Sequence, residues 1–148
     1  MGLAERIQSE MKEAMKAREA DRLGTLRMLK SALGYVQIEL KKDALSDEEI
    51  ISVIQKEAKK RRDSIEQFEK GDRADLAAQE KIELSVLQKF LPQPLSAEEL
   101  EQLVMDCIAE TGATSKKEMG LVMKTATAKA AGRADGKALS IIVGRLLR

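Results

Sequence analysis

The sequence predicts an all-α protein, in which a helical N-terminal unit of about four helices is followed by a small three-helix C-terminal domain. Three observations predict this class. Only 2% of the residues are aromatic while 43% are hydrophobic, and most of these are aliphatic residues that suit packed helices. Charged residues make up 34%, which favours helices with solvated outer faces. Apolar residues recur every three or four positions, and no alternation typical of strands is found.

Two nearly identical segments mark helix starts, LSDEEI at residues 45–50 and LSAEEL at residues 95–100. In each segment a serine precedes a glutamate by three positions, and apolar residues flank the pair. This pattern is that of a capping box with a hydrophobic staple. Ser115 and Glu118 have the same spacing and predict a third start, although Thr114 supplies no staple.

Apolar repeats predict the helices of the N-terminal unit. They run through residues 3–15, 26–40 and 50–68 at intervals of three and four, so each segment has one apolar face. The third helix is expected to end at Gly71, because glycine readily adopts the left-handed conformation that terminates helices. Asp72 then begins a fourth helical segment.

The boundary between the two parts is predicted at the segment FLPQPLS. Pro92 and Pro94 each lack a backbone donor and disfavour helical geometry in the preceding residue. The predicted organisation is therefore an N-terminal helical domain at residues 1–91, a proline-containing linker at residues 92–96 and a C-terminal domain at residues 97–148.

The last of the C-terminal helices, roughly residues 97–111, 116–130 and 136–147, follows the corner GRADG. Gly132 suits the left-handed position that ends one helix, and Asp135 can cap the next by accepting from its free amides. Gly136 has no side chain and would let a backbone or a phosphate approach closely. Arg133 is left beside a helix N-terminus. Spacing alone favours a tight structural corner over an anion site, and both interpretations stay open.

The charge distribution is uneven along the chain. The overall net charge is +1, which argues against a general polyanion binder. Residues 95–110 contain five acidic side chains and no basic one. Residues 116–148 contain eight basic and two acidic side chains. Such a local surplus attracts phosphates at low salt, so an anionic partner and a merely solvated surface are about equally favoured there.

A smaller basic cluster, KEAKKRR, spans residues 56–62. Glu57 and Arg61, and likewise Lys59 and Asp63, stand four positions apart, a spacing at which opposite charges pair on a helix. The cluster is therefore interpreted as a solvated helix face.

The residue types that most catalytic sites need are missing. The chain contains no histidine and one cysteine, which removes the commonest general base and the usual zinc ligands. No phosphate-binding or dinucleotide motif is found. We therefore expect no catalytic residue, metal site or small-molecule cofactor. No apolar run is long enough to span a membrane. Cys107 cannot form an internal disulfide, so a cytoplasmic location and a buried thiol are expected.

Four motifs resemble the YqeY family in order along the chain. They are TLRMLKSAL at residues 25–33, KEAKKRRDSIEQFEKGDRADL at 56–76, LQKFLPQPLSAEEL at 87–100 and MGLVMKTATAKAAGRADGKALSIIVGRLL at 119–147. The last motif also resembles the tail domain of the GatB subunit of glutamine-dependent tRNA amidotransferase. Together the motifs cover essentially the whole chain.

The resemblance implies a helical N-terminal unit, a three-helix tail and binding of tRNA or another folded RNA. Carried onto this sequence, it implies RNA contacts through Lys124, Lys129, Arg133 and Lys137. It also implies an association with carbon–nitrogen ligases that use glutamine as the amido donor, but not amidotransferase catalysis by this chain alone, because the catalytic residues are absent.

Two alternatives to RNA binding stay open. In one, the chain is a protein-interaction adaptor that docks on an aminoacyl-tRNA synthetase or an amidotransferase through the acidic segment at residues 97–110. In the other, it is an accessory subunit of a glutamine-dependent amidotransferase.

Overall fold

The computed structural model describes residues 2–147, and in this range the chain is entirely helical, which confirms the predicted class. One 3₁₀ turn at Lys116–Glu118 accompanies seven α-helices. The helices are α1 (Leu3–Lys16), α2 (Ala20–Glu39), α3 (Asp47–Lys70), α4 (Ala74–Gln88), α5 (Ala97–Thr111), α6 (Met119–Ala130) and α7 (Gly136–Leu146).

The chain divides into two compact units, the N-terminal unit Met1–Leu91 and the C-terminal unit Pro92–Arg148. Each unit has its own hydrophobic core. The N-terminal core includes the buried side chains Ile7, Leu26, Leu29, Ile54 and Leu87. The C-terminal core includes Val104, Cys107, Val122, Leu139 and Val143. The apolar repeats found in the sequence thus face two separate interiors.

Both stapled capping boxes form as predicted. The Ser46 hydroxyl accepts from the Glu49 amide at 3.1 Å, and the Glu49 carboxylate accepts from the Ser46 amide at 2.9 Å. Ser96 and Glu99 make the same reciprocal pair, with both distances at 3.1 Å. These contacts satisfy backbone donors that the first turns of α3 and α5 would otherwise leave free.

The third predicted start at Ser115 is wrong in detail. The Ser115 side chain makes no capping hydrogen bond, and residues 116–118 form a 3₁₀ turn, so α6 begins only at Met119. The Glu118 carboxylate instead accepts from the Thr114 hydroxyl at 3.5 Å. The residue before Ser115 is polar, and without a staple the capping box does not close.

The end of α3 also differs from the prediction. Gly71 has φ of −90°, whereas Asp72 takes the left-handed conformation with φ of 58°. The Arg73 amide donates to the Phe68 carbonyl at 2.8 Å, and the Asp72 amide donates to the Glu69 carbonyl at 3.3 Å. This pair of bonds defines a Schellman motif. Its left-handed position falls one residue after the glycine, where aspartate is tolerated.

The cluster at residues 56–62 is not uniformly solvated. Arg61 is 9% exposed and pairs with Glu57 at 3.3 Å, as predicted, and with Glu83 of α4 at 3.5 Å. Within the described part of the chain Lys59 and Asp63 form no ion pair. Arg61 therefore links α3 to α4 inside the N-terminal unit, because its guanidinium satisfies two partly buried carboxylates.

Candidate functional site

The corner between α6 and α7 is built by backbone conformation and one side-chain cap. Ala131 and Gly132 both take positive φ, 47° and 85°, which turns the chain out of α6. The Asp135 carboxylate then accepts from the Ala138 amide at 2.7 Å and starts α7. A Cβ at Gly136 would meet no atom within 4 Å, so no close approach within the chain requires glycine there.

Arg133 is tied to the segment that precedes α5. Its Nε donates to the Gln93 carbonyl at 2.8 Å, and its own carbonyl accepts from the Leu95 amide at 2.9 Å. Its guanidinium also lies 4.0 Å from the Glu99 carboxylate. Residues 92–96 thus pack within the C-terminal unit, and Arg133 holds them at the corner. This role is structural, although the half-exposed side chain is still accessible to solvent.

Lys129 is likewise engaged within the C-terminal unit. Its ammonium forms a hydrogen-bonded ion pair with Glu110 of α5, and this contact raises the pKa of Lys129. Five helical positions separate Lys129 from Lys124, so the two side chains lie about 140° apart around α6. The cations that the sequence groups together along α6 therefore belong to different faces of the helix.

The acidic residues of α5 neutralise cations of their own unit. Glu99 approaches Arg133 and Glu110 pairs with Lys129, while Glu101 lies 3.4 Å from Arg145. A backbone hydrogen bond from Ser96 is the main cause that lowers the pKa of Glu99, and Arg133 adds to it. Three of the five acidic side chains on this helix are thus directed at the rest of the C-terminal unit.

Four lysines of the C-terminal unit are exposed and have no ion pair or side-chain hydrogen bond to any described residue. We call them the free lysines: Lys116, Lys117, Lys124 and Lys137. Lys124 lies roughly 160–200° around α6 from the buried residues Val122 and Ala126. Its side chain therefore points away from the core.

Two of the free lysines, Lys116 and Lys117, were not among the predicted site residues. A sequence signal for them exists, since neither has an acidic residue three or four positions away with which to pair. The same signal also selects Lys129, whose partner Glu110 lies on another helix. Local spacing therefore finds the free lysines but cannot separate them from a lysine that is paired through tertiary structure.

Features of catalytic or membrane sites were also sought in residues 2–147. Cys107 lies at 0% exposure in the C-terminal core, and burial raises the pKa of its thiol. No three or more histidine, cysteine or acidic side chains in this range come together in a way that could hold a metal ion. None of its helices combines the length and the apolar character needed to cross a bilayer.

Comparison with known proteins agrees with the resemblance. A family model described as Yqey-like protein matches residues 4–147. An uncharacterised protein of Schizosaccharomyces pombe is 34% identical over 90 residues, which cover 61% of this chain and 72% of that protein. The protein named "Altered inheritance of mitochondria protein 41, mitochondrial" is similar too. The protein of that name from Pyrenophora tritici-repentis is 29% identical over 87% of this chain and 71% of its own length. The one from Saccharomyces cerevisiae is 29% identical over 62% of this chain, half of that protein.

These names contradict the expected cytoplasmic location, because the relatives that carry the name are called mitochondrial proteins. The expectation depended on the single Cys107. A lone thiol excludes an internal disulfide, but it does not distinguish one reducing compartment from another.

Proposed function

This chain belongs to the family of YqeY-like proteins, and we propose that its C-terminal unit binds a folded RNA, tRNA above all, through the free lysines. One observation carries the proposal. The acidic helix α5 neutralises three cations of this unit and leaves four exposed lysines without a partner among the described residues. Unpaired cations offer phosphates the strongest attraction, since no intramolecular ion pair must be broken.

The proposal divides the four residues first assigned to RNA into two roles. Lys124 and Lys137 contact phosphates. Arg133 and Lys129 instead stabilise the corner and the packing of α6 against α5, through Gln93 and Glu110 respectively. Lys116 and Lys117, directly before α6, extend the basic surface toward the start of that helix.

The partner is a folded RNA rather than an unpaired strand. The C-terminal unit contains no aromatic residue on which bases could stack, and stacking supplies much of the affinity for single strands. Lysines contact phosphates whatever the base sequence, so recognition depends on the shape of the RNA and on its phosphates and 2′-hydroxyls. The similarity to the tail of GatB supports tRNA within this class, and an accessory role beside a tRNA amidotransferase is compatible with it.

The adaptor alternative is not favoured. It requires the acidic side chains of α5 to face a basic partner protein, yet three of the five are already paired with Arg133, Arg145 and Lys129. Docking through them would break these ion pairs and would leave the cations exposed.

Two matched double variants of the full chain test the proposal. Lys124→Ala with Lys137→Ala removes two free lysines, and Lys129→Ala with Arg145→Ala removes two paired cations and changes the net charge equally. Affinity for total tRNA is measured by fluorescence anisotropy between about 50 and 200 mM salt. We expect the first variant to lower the slope of log affinity against log salt by about two, and the second to lower it by less than one.

Circular dichroism of both variants checks that the helices are retained. Equal losses of slope in the two variants would contradict the assignment to the free lysines, because they would indicate only a response to total charge. Unchanged tRNA affinity in a variant with all four free lysines replaced by alanine would refute RNA binding through this surface.

A further inference from the structure

The outward side of α2 carries two very exposed apolar side chains. Tyr35 is 76% exposed and Ile38 is 77% exposed, more than any other large hydrophobic residue described. The opposite side of α2 is buried through Thr25, Leu26 and Leu29. Helical geometry groups the outward residues within about 80° of Ile38 in the later part of the helix. We call them the α2 outer face: Arg27, Lys30, Ser31, Gly34, Tyr35 and Ile38.

Gly34 lies within this face and has no internal reason to be glycine. A Cβ at this position would meet no atom within 4 Å, so alanine would fit. Glycine inside a helix costs about 1 kcal/mol relative to alanine. A helix side with a glycine beside Tyr35 and Ile38 allows the backbone of another chain to approach closely, so the residue suits a contact with a partner.

The charges on the α2 outer face have one sign. Arg27 and Lys30 are exposed and form no ion pair with the described residues. The nearest acidic residues of the same helix, Asp21 and Glu39, lie about 100° around the axis from Ile38. The face is thus apolar along its middle and positively charged at its side, and it attracts a surface with the complementary pattern.

We propose that the α2 outer face binds an amphipathic helix of a partner protein, with apolar residues that contact Tyr35 and Ile38 and acidic side chains that contact Arg27 and Lys30. A second copy of the chain fits less well, because symmetric pairing of this face would bring the same cations together. RNA also fits less well. Ile38 has no donor or acceptor, and its large exposed apolar area is removed from water only by apolar contact.

The first experiment identifies the occupant by photo-crosslinking. Tyr35→p-benzoylphenylalanine keeps an aromatic group at this position in the full chain, and the protein is irradiated in its native cells. Mass spectrometry then reads the crosslinked segment. The proposal expects an amphipathic helix with acidic residues beside its apolar stripe. A nuclease-sensitive adduct, a crosslink to a second copy, a partner segment without acidic residues or the absence of any crosslink would overturn it.

Substitutions then test how the identified segment is bound. Ile38→Asp should reduce its affinity about tenfold or more, since an unpaired carboxylate would enter an apolar contact. The matched control is Ile82→Asp on α4, where an isoleucine is also exposed, at 42%, and no loss is expected. Arg27→Glu with Lys30→Glu should weaken binding, and reversal of the acidic residues on the partner should restore it. Failure of this charge exchange, or equal loss in the Ile82 control, would refute the proposed contacts.

Discussion

Leu139→Ala tests whether the two hydrophobic cores stabilise their units separately. Leu139 is fully buried in the C-terminal core together with Cys107 and Val143. Its truncation removes buried apolar contacts and leaves a cavity, at a cost of about 3 kcal/mol, with 2–5 kcal/mol as the usual range. A unit the size of residues 92–148 has a free energy of unfolding of roughly 3–9 kcal/mol. The substitution therefore removes a large part of the stability of this unit.

Cys107 provides a specific assay for opening of the C-terminal unit. It is the only cysteine of the chain and is 0% exposed, so a thiol reagent modifies it only when the unit opens. Each 1.4 kcal/mol changes an equilibrium tenfold, and a loss of about 3 kcal/mol corresponds to labelling about 100-fold faster under native conditions. The labelling rate is measured against time with an aromatic disulfide reagent.

The control is Leu87→Ala, which truncates a similarly buried leucine in the N-terminal core. We expect it to destabilise the N-terminal unit in urea and to leave Cys107 labelling within about twofold of the parent rate, a change well below the Leu139 effect. If Leu87→Ala accelerated Cys107 labelling as much as Leu139→Ala, the two units would open together and the reasoning from separate cores would be refuted. Unchanged labelling in Leu139→Ala would refute the estimated cavity cost.

Three further predictions concern single contacts. Arg61→Ala should lower the free energy of unfolding in urea by about 3–5 kcal/mol, because it strands the Glu83 carboxylate, while Arg61→Met with Glu83→Leu should recover most of the loss; equal stability of the two variants would contradict this. Asp135→Ala should cost about 1 kcal/mol in thermal unfolding through the lost cap of α7, whereas Asp135→Asn, which can still accept from the amide, should cost much less. Hydrogen bonds from the Lys42 side chain and the Ser46 amide lower the pKa of Glu49 from 4.5 to about 2. Its contribution to stability is therefore full above about pH 4.5 and is lost as the pH falls toward 2, so Glu49→Gln should flatten the decline of stability over this range in urea titrations.

The elements that could be predicted from sequence depend on neighbours along the chain. The capping boxes at Ser46 and Ser96 were predictable because a box and its staple lie within six consecutive residues. The failures arose where local rules compete. Ser115 lacks the staple, and the left-handed position after α3 falls on Asp72 rather than on Gly71. The cap by Asp135 also follows from local spacing, since its acceptor and the Ala138 amide are three residues apart.

The candidate site was only partly accessible to sequence reasoning. The positive surplus at residues 116–148 could be counted, and Lys124 and Lys137 stay predicted RNA contacts. The pairing of Lys129 with Glu110 and the contact of Arg133 with Gln93 could not be predicted, because these partners are distant in sequence. The buried position of Arg61 escaped for the same reason, since its second carboxylate belongs to α4.

By itself the sequence determined that the chain is helical, where the stapled helices begin and how much charge each segment carries, since periodicity, capping and composition act over one or two helical turns. Only the tertiary structure decided which of those charges are free. Ion pairs form between side chains that packing brings within about 4 Å, whatever their separation along the chain. The approach of α5 to the corner and to α6 therefore neutralises Arg133 and Lys129, while Lys124, on the opposite side of the same helix, stays available to a partner.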